Sequence, residues 1–468
     1  VIAEIDGAVL CSWDELVRQA RAVLHGWHES IRDRELVVMT PRRGLNGIVD
    51  LIAAALHPGV VAVVPEGFLT TPAADEKGSS AGAELKAYVH VERGVAGYRS
   101  ADLRIASAPH LAQRLRQRED AVYVASGGTT GAKKLGEIPV GQLSPMPSGY
   151  QVTGLTDSSV CYIGGVWTHS AFLWAFYCAF EGRLRVVVAD TFRSASVARL
   201  IDTGHVTWAL FPPAEFQALA SLLDTQKWSP RTIENVVTTG GPTPPDSRQA
   251  WTDHLGASRV FDMYATTEGI GTLVASGIDQ SVRPGTSGRP VWGRAEVRTS
   301  DGRRLTEPNV VGELFIKSLS RIRGALNEYR SAGDLARIDA DGYVFLAGRV
   351  DEMVVVHGEN IDVRALTLLL LSVRGVQDAA VVPLASDDEY VRGLGVAIVG
   401  ALDISLLRRE LTPIIGKRWG PTAVPRRWLN MHRLPTTANG KVDRMKIRER
   451  LLNSSATRTA EGFSSDAD

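Results

Sequence analysis

The chain has 468 residues, 44% of them hydrophobic, and its 52 basic residues are cancelled by 52 acidic ones. That length exceeds a single hydrophobic core and suits two or three domains, while the zero balance gives no sign of a nucleic-acid or membrane surface. Cys11, Cys161 and Cys178 are few, odd in number and widely spaced, which argues against a disulfide framework or zinc site and fits a reducing compartment. No apolar run reaches membrane-spanning length and the start lacks an export-signal pattern, so a cytoplasmic protein is the expectation.

Ser12 and Glu15 have capping-box spacing, and Trp13, Leu16, Val17, Ala20, Leu24 and Trp27 share one helical face, predicting an amphipathic helix over 13–27. A strand at 35–39, a helix at about 45–56 and a strand at 60–65 follow. AVYVA at 121–125 reads as a buried strand that feeds SGGTTGAKK at 126–134. Gly127, Gly128 and Gly131 remove the side chains that would keep a polyphosphate from backbone N–H groups. Ser126, Thr129 and Thr130 add hydroxyls and Lys134 adds a charge, so the run reads as a phosphate-holding loop, although a plain mobile turn can share its composition. It is not a Walker loop, because Ala132 and Lys133 stand where that pattern needs a glycine directly before the lysine.

Strands are expected near 160–164, 184–189, 207–211, 234–238 and 259–263, with helices such as 170–181 and 213–223 between them. This alternation predicts an α/β fold of mostly parallel sheets covered by helices. From about 285 the texture changes to short strands with Gly and Pro turns, predicting a small β-rich subdomain at 285–348 with a hairpin turn at Asp341–Gly342. A boundary is expected at 349–351, then a small α+β C-terminal domain over 352–450 and a disordered polar tail at 451–468.

The 126–134 run resembles the phosphate signature of the AMP-forming adenylating superfamily, which includes acyl-CoA synthetases, nonribosomal peptide adenylation domains and luciferases; SGGTTG looks most like its aryl-acid and acyl-CoA ligases. Further motifs of that family follow in order. TTGGPTPP at 238–245, with Gly240, Gly241 and Pro242, resembles the loop beside the adenine and acyl pockets. MYATTEG at 263–269 resembles YGxTE, which implies Tyr264 stacking on adenine, Thr267 touching the α-phosphate and Glu268 holding Mg2+, with Ala265 replacing the usual glycine. Asp334 and Arg349 match the ribose-binding aspartate and arginine, Asp351 the hinge of a mobile C-terminal domain, and Lys441 in NGK the lysine that bridges the substrate carboxylate and α-phosphate. His169 in WTHSAF matches a gate of the acyl pocket, with a packed helix-cap histidine as the alternative, and the Trp167, Phe172, Trp174 and Phe176 stretch can border a flat substrate or be core.

The resemblance implies an ATP- and Mg2+-dependent ligase that forms an acyl-adenylate from an acid that is not an α-amino acid. Transfer to coenzyme A, or to a carrier-protein phosphopantetheine acting in trans, would follow. Lys133 replaces the usual proline and VRALTLLL replaces the usual start of the helix after GENID, which leaves open a diazotase-like enzyme that activates nitrite. A non-catalytic nucleotide-binding relative is the third reading, opposed by the intact Glu268 and Lys441.

Overall fold

The structure is a computed structural model that describes residues 2–3, 11–30, 36–41, 45–57, 60–64, 83–90, 98–105, 121–126, 134–138, 148–189, 191–266, 271–291, 293–299, 301–317, 328–350, 353–356, 359–373, 375–385, 391–400, 402–436 and 442–453. The chain divides into two compact units, Val1–Ala332 with Ala336–Leu346, and Gly333–Leu335 with Ala347–Asp468.

The first unit contains two large sheets. One has strand order Tyr98–Ile105, Ala83–His90, Leu36–Met39, Val60–Val63, Ala121–Ser126, Lys134–Ile138, with the inner four parallel and each edge strand antiparallel to its neighbour. The other has order Ile2–Ala3, Arg185–Val187, Val160–Ile163, Trp208–Phe211, Asn235–Thr239, Val260–Ala265, Thr272–Ser276, Arg289–Pro290; its first six strands are parallel and the last two antiparallel. The predicted parallel α/β pattern is therefore present in both sheets; the strands Ala83–His90 and Tyr98–Ile105, whose apolar residues alternate with polar ones, and Lys134–Ile138, which has no clean alternation, add to those expected from the sequence.

Period-2 geometry sends alternate residues of each central strand into different cores. Cys161, Ile163, Trp208 and Leu210 join Val37, Met39, Val61 and Val63 in one cluster, whereas Tyr162, Ala209, Phe211 and Val236 join Phe216, Trp228 and Trp251 in another. The helices Leu45–Leu56 and Ser170–Glu181 supply Leu51, Ile52, Phe172 and Phe176 to the first cluster, and their apolar residues run around the helix as in any helix enclosed on several sides. Trp13, Trp208 and Trp251 bury their rings but keep their indole N–H groups on the carbonyls of Leu184, Thr153 and Phe216 at 2.9, 3.2 and 3.1 Å.

A five-stranded sheet follows, in the order Arg304–Leu305, Arg294–Arg298, Gly312–Lys317, Tyr329–Ile338, Val344–Arg349. Gly342, at φ 83°, turns the chain between the last two strands, at the Asp341–Gly342 position that the sequence predicts. The second unit holds the antiparallel pair Met353–Val356 and Glu359–Asp362, a sheet of Asp378–Ala385, Val391–Val399 and Arg427–Met431, and the helices Val363–Leu371, Ile404–Trp419 and Arg444–Asn453. Residues 454–468, most of the expected tail, lie outside the described residues.

Candidate functional site

Three of the motif loops are spans whose two ends are hydrogen-bonded to each other, two between paired strands and one at an isolated bridge. Ser126 and Lys134 are direct partners across the antiparallel pair Ala121–Ser126 and Lys134–Ile138, so the backbone closes the neck of the 127–133 segment. Tyr264 pairs with Leu273 and Ala265 with Thr272, which brackets 267–270 in the same way. Thr436 and Val442 form an antiparallel bridge, and the Asp443 N–H donates to the Pro435 carbonyl at 2.8 Å, closing the neck around 437–441. Gly127, Gly128, Thr129, Thr130, Gly131, Thr267, Glu268, Asp351 and Lys441 themselves lie outside the described residues.

His169 caps the helix Ser170–Glu181. Its backbone is extended, at φ −99° and ψ 132°, and its Nδ1 accepts from the Ala171 N–H at 3.4 Å. The ring tilts against Phe172 with centroids 5.5 Å apart, and its far edge faces Gly240: a Cβ on that glycine would lie 3.4 Å from His169 Cε1. Capping thus fixes the ring where the 238–245 loop passes. Gly240 holds φ 94°, and Gly241 and Pro242 beside it are exposed. Trp167, Phe172 and Phe176 are buried in the first core, with Trp167 stacked on Phe176 at 5.6 Å, and Trp174 packs against the same core. The aromatic stretch is therefore core.

Two carboxylates that the sequence did not single out support this wall. Glu215, in the first turn of Pro213–Asp224, is 7% exposed and accepts the Gly165 N–H at 3.1 Å; a Cβ on Gly164 would come within 2.4 Å of its Oε2. A glutamate just after Pro-Pro reads as an ordinary acidic first turn, so nothing local signals its burial. Asp262, two residues before Tyr264, accepts from Arg248 Nε at 2.7 Å; burial pushes its carboxyl up, and Arg248 and Thr243 pull against that.

In the second unit, Asp334 and Arg349 come together. Arg349 Nη1 stands 3.6 Å from Asp334 Oδ1, with the aspartate side chain 10% exposed and the arginine 43%. Gly333, at φ 70°, makes room for this: its Cβ would lie 3.1 Å from Arg349 Nη2. The two candidate ribose-binding residues thus form an ion pair between the consecutive strands Tyr329–Ile338 and Val344–Arg349. No group of three or more His, Cys, Asp or Glu side chains that could hold a metal occurs among the described residues. Among those residues no helix is long and apolar enough to cross a membrane.

The model of the family described as AMP-binding enzyme matches residues 47–325, more than half the chain. The chain belongs to that family. Among curated proteins, it is 28% identical over 229 residues to an uncharacterized acyl–CoA ligase of Bacillus subtilis, covering 47% of this chain and 46% of that protein. It is 25% identical over 301 residues to 3-hydroxybenzoate–CoA ligase of Aromatoleum, covering 60% and 57%. The chain thus spans about half the length of these curated relatives. The solved o-succinylbenzoate coenzyme A synthetase of Bacillus subtilis, in complex with AMP, superposes with a TM-score of 0.69 at 19% identity, covering 96% of this chain and 95% of that one. The amide bond synthetase of Marinactinospora thermotolerans gives 0.67 at 19% identity, covering 96% of each. The fold of this AMP-binding enzyme is that of the adenylate-forming ligases.

Proposed function

We propose that this AMP-binding enzyme catalyses ATP-dependent activation of a carboxylic acid to an acyl-adenylate and then passes the acyl group to the thiol of coenzyme A or of a carrier protein acting in trans. The acid is aryl, or another acid without an α-amino group. The observation that carries the reading is the pairing of Asp334, a nearly buried carboxylate, with Arg349. An aspartate with two acceptor oxygens can take both hydroxyls of a ribose, and a neighbouring guanidinium fixes its orientation.

In the first step a carboxylate oxygen of the acid attacks the α-phosphorus of ATP. An O–P bond forms, and the bond to the bridging oxygen breaks as pyrophosphate leaves with the electron pair. The protein's work is positioning and charge neutralisation. Tyr264 offers its ring to the adenine, and Ser126 and Lys134 flank the phosphate loop. Thr267 and Lys441 reach the α-phosphate, and Lys441 also meets the substrate carboxylate. Glu268 would hold Mg2+, which would supply charge neutralisation on the phosphates; a single carboxylate beside a triphosphate is a sufficient protein contribution. His169 and Gly240 border the acid. In the second step the C-terminal domain turns about Asp351 and the thiol sulfur attacks the acyl carbon; a C–S bond forms, the acyl C–O bond to the phosphate breaks, AMP leaves with the electron pair, and the thiol proton passes to solvent. No nucleic acid or membrane enters this scheme.

The test is a panel of aryl and aliphatic acids incubated with ATP and Mg2+, with and without coenzyme A and with and without nitrite plus an aryl amine. Pyrophosphate release and product masses are read. Acid-dependent pyrophosphate release with an acyl thioester product is expected. Nitrite-dependent release in place of it, or no release with any acid, would overturn the reading.

A further inference from the structure

We propose that Arg248 and Asp262 are positioning residues for the nucleotide, joining the backbone of the 238–245 loop to the strand that carries Tyr264. This inference rests on the ATP reading above. Asp262 and Tyr264 are two apart on the strand Val260–Ala265 and so project from the same face, opposite the buried Phe261 and Met263. Any displacement of that strand segment moves both side chains together.

The guanidinium of Arg248 reaches both ways from the first turn of the helix Pro245–Leu255. Its Nε donates to Asp262 Oδ2 at 2.7 Å, and its Nη2 donates to the Thr243 carbonyl at 3.4 Å. The pair is shielded, with side-chain exposures of 19% and 18%. Gln280 adds a second donor to Asp262 Oδ2 at 3.2 Å, and the Thr243 hydroxyl donates to Thr238 at 3.3 Å, tying the two shoulders of the loop to each other. On its other flank the loop passes His169 at Gly240. One arginine thus connects the segment beside the acid gate with the strand of the adenine-stacking tyrosine.

A lysine at 248 could keep the charge pair but has a single nitrogen, so it cannot serve Asp262 and the Thr243 carbonyl with the separate arms that arginine provides. A charged hydrogen-bonded pair also orients better than it stabilises, since its formation is opposed by desolvation of both groups. The network therefore predicts a graded effect on ATP use rather than a general loss.

The experiment measures steady-state pyrophosphate release by the full chain and by Arg248→Lys, Arg248→Ala, Asp262→Asn and Gln280→Met, with melting temperatures recorded for each. Arg248→Ala is expected to raise KM for ATP by on the order of 10-fold to 100-fold, as for loss of a charged hydrogen bond. Arg248→Lys should fall between Arg248→Ala and the parent. KM for the acid should stay within about 2-fold of the parent, a split between the two substrates that separates nucleotide positioning from acid binding. Should Arg248→Ala fail to fold, Arg248→Lys and Gln280→Met carry the test with smaller shifts of the same sign. Lowered melting temperatures with an unchanged KM for ATP in every folded variant would overturn the proposal. If the parent enzyme releases no pyrophosphate from ATP with any acid, the functional reading fails and this inference falls with it; a competent parent whose variants keep their KM for ATP overturns this inference alone.

Discussion

At the carboxyl ends of the parallel strands in the eight-stranded sheet the chain leaves through paired glycines, Gly164–Gly165 after Val160–Ile163 and Gly240–Gly241 after Asn235–Thr239. At the amino ends it enters through helix caps in which Arg183, His205 and Gln226 hold φ of 54°, 51° and 54°. Each of these caps satisfies itself. The Arg183, His205 and Gln226 N–H groups donate to Phe180, Asp202 and Leu223 carbonyls at 3.1, 3.2 and 2.9 Å, and the next residues donate to Ala179, Ile201 and Leu222 at 2.9, 3.0 and 3.0 Å. At the other end the glycines have no side chains of their own, and Glu215, Phe172 and His169 fill the space. One end uses its backbone groups for closure, while the other admits side chains from distant elements, which is what a binding surface requires.

The largest effect expected from breaking this difference is at Gly165. Its φ of 67° places a new Cβ 2.5 Å from Phe172 Cε2. A left-handed L-residue costs about 1–2 kcal/mol, and forcing an extra group into a packed site costs about 1–3 kcal/mol. Gly165→Val should therefore lower unfolding free energy in urea by the larger part of both amounts and abolish acid-dependent turnover. Parent-like stability would mean that the loop has slack and that its glycines do not define the wall.

Next in size is Asp334→Ala, in the second unit. Loss of a carboxylate acceptor for hydroxyl groups should weaken ATP binding by on the order of 10-fold to 100-fold, read by calorimetric titration. An unchanged ATP dissociation constant would remove Asp334 from the nucleotide site. Third is His169→Ala, expected to change the ratio of kcat/KM between a flat aryl acid and a small aliphatic acid by about 10-fold, the scale of a modest change in pocket shape, while leaving ATP affinity unaltered. An equal fall for every acid, together with a lower Tm, would make His169 only a helix cap.

The strands and helices of the parallel regions were legible because continuous apolar runs and helical spacing report burial directly: the strands Val160–Ile163 and Trp208–Phe211 are buried throughout, and the helices at 45–56 and 170–181 have the bounds that their periodicity implies. The antiparallel strand Lys134–Ile138 was not, since KLGEI has neither a continuous apolar run nor clean alternation and is defined by its pairing with Ala121–Ser126. Among the candidate site residues, Asp334 and Arg349 were singled out by their match to family motifs, and the structure pairs them. Glu215 and Arg248 were not, because no motif assigns them a role and their pairing with Gly165 and Asp262 is set by tertiary packing that no periodicity encodes. Trp167 and Phe176 show the converse limit: an aromatic stretch has the same composition whether it faces a substrate or, as here, a core.

A smaller, pH-dependent effect belongs to Asp279. Burial pushes its carboxyl up, but hydrogen bonds from Tyr343 and Ser276 outweigh this and hold it below the usual aspartate range. A depressed carboxylate stabilises the fold above its unfolded pKa, and that contribution disappears as pH falls through the folded value. Asp279→Asn should thus lose on the order of 1 kcal/mol near neutral pH, the scale of a capping interaction, and the gap to the parent should close as pH drops below about 4. A gap that persists unchanged to lower pH would assign the effect to geometry rather than charge.

The smallest expected effect is a gain, and it tests the amino-end side of the comparison. His205 adopts φ 51° directly after Gly204, the C-cap of Ser194–Thr203. The left-handed conformation costs a residue with a Cβ about 1–2 kcal/mol, whereas glycine adopts it freely but loses roughly 0.5–1 kcal/mol through the entropy of the unfolded chain. The difference favours His205→Gly by about 0.5–1 kcal/mol. The ring is exposed at the amino end of the sheet, so no step of the proposed reaction uses it. Urea unfolding should therefore shift to higher midpoint while KM for ATP and the acid profile stay as in the parent. A loss of stability would show that the imidazole contributes more than its backbone strain removes, and a change in turnover would show that the two ends of the sheet are coupled rather than divided between closure and binding.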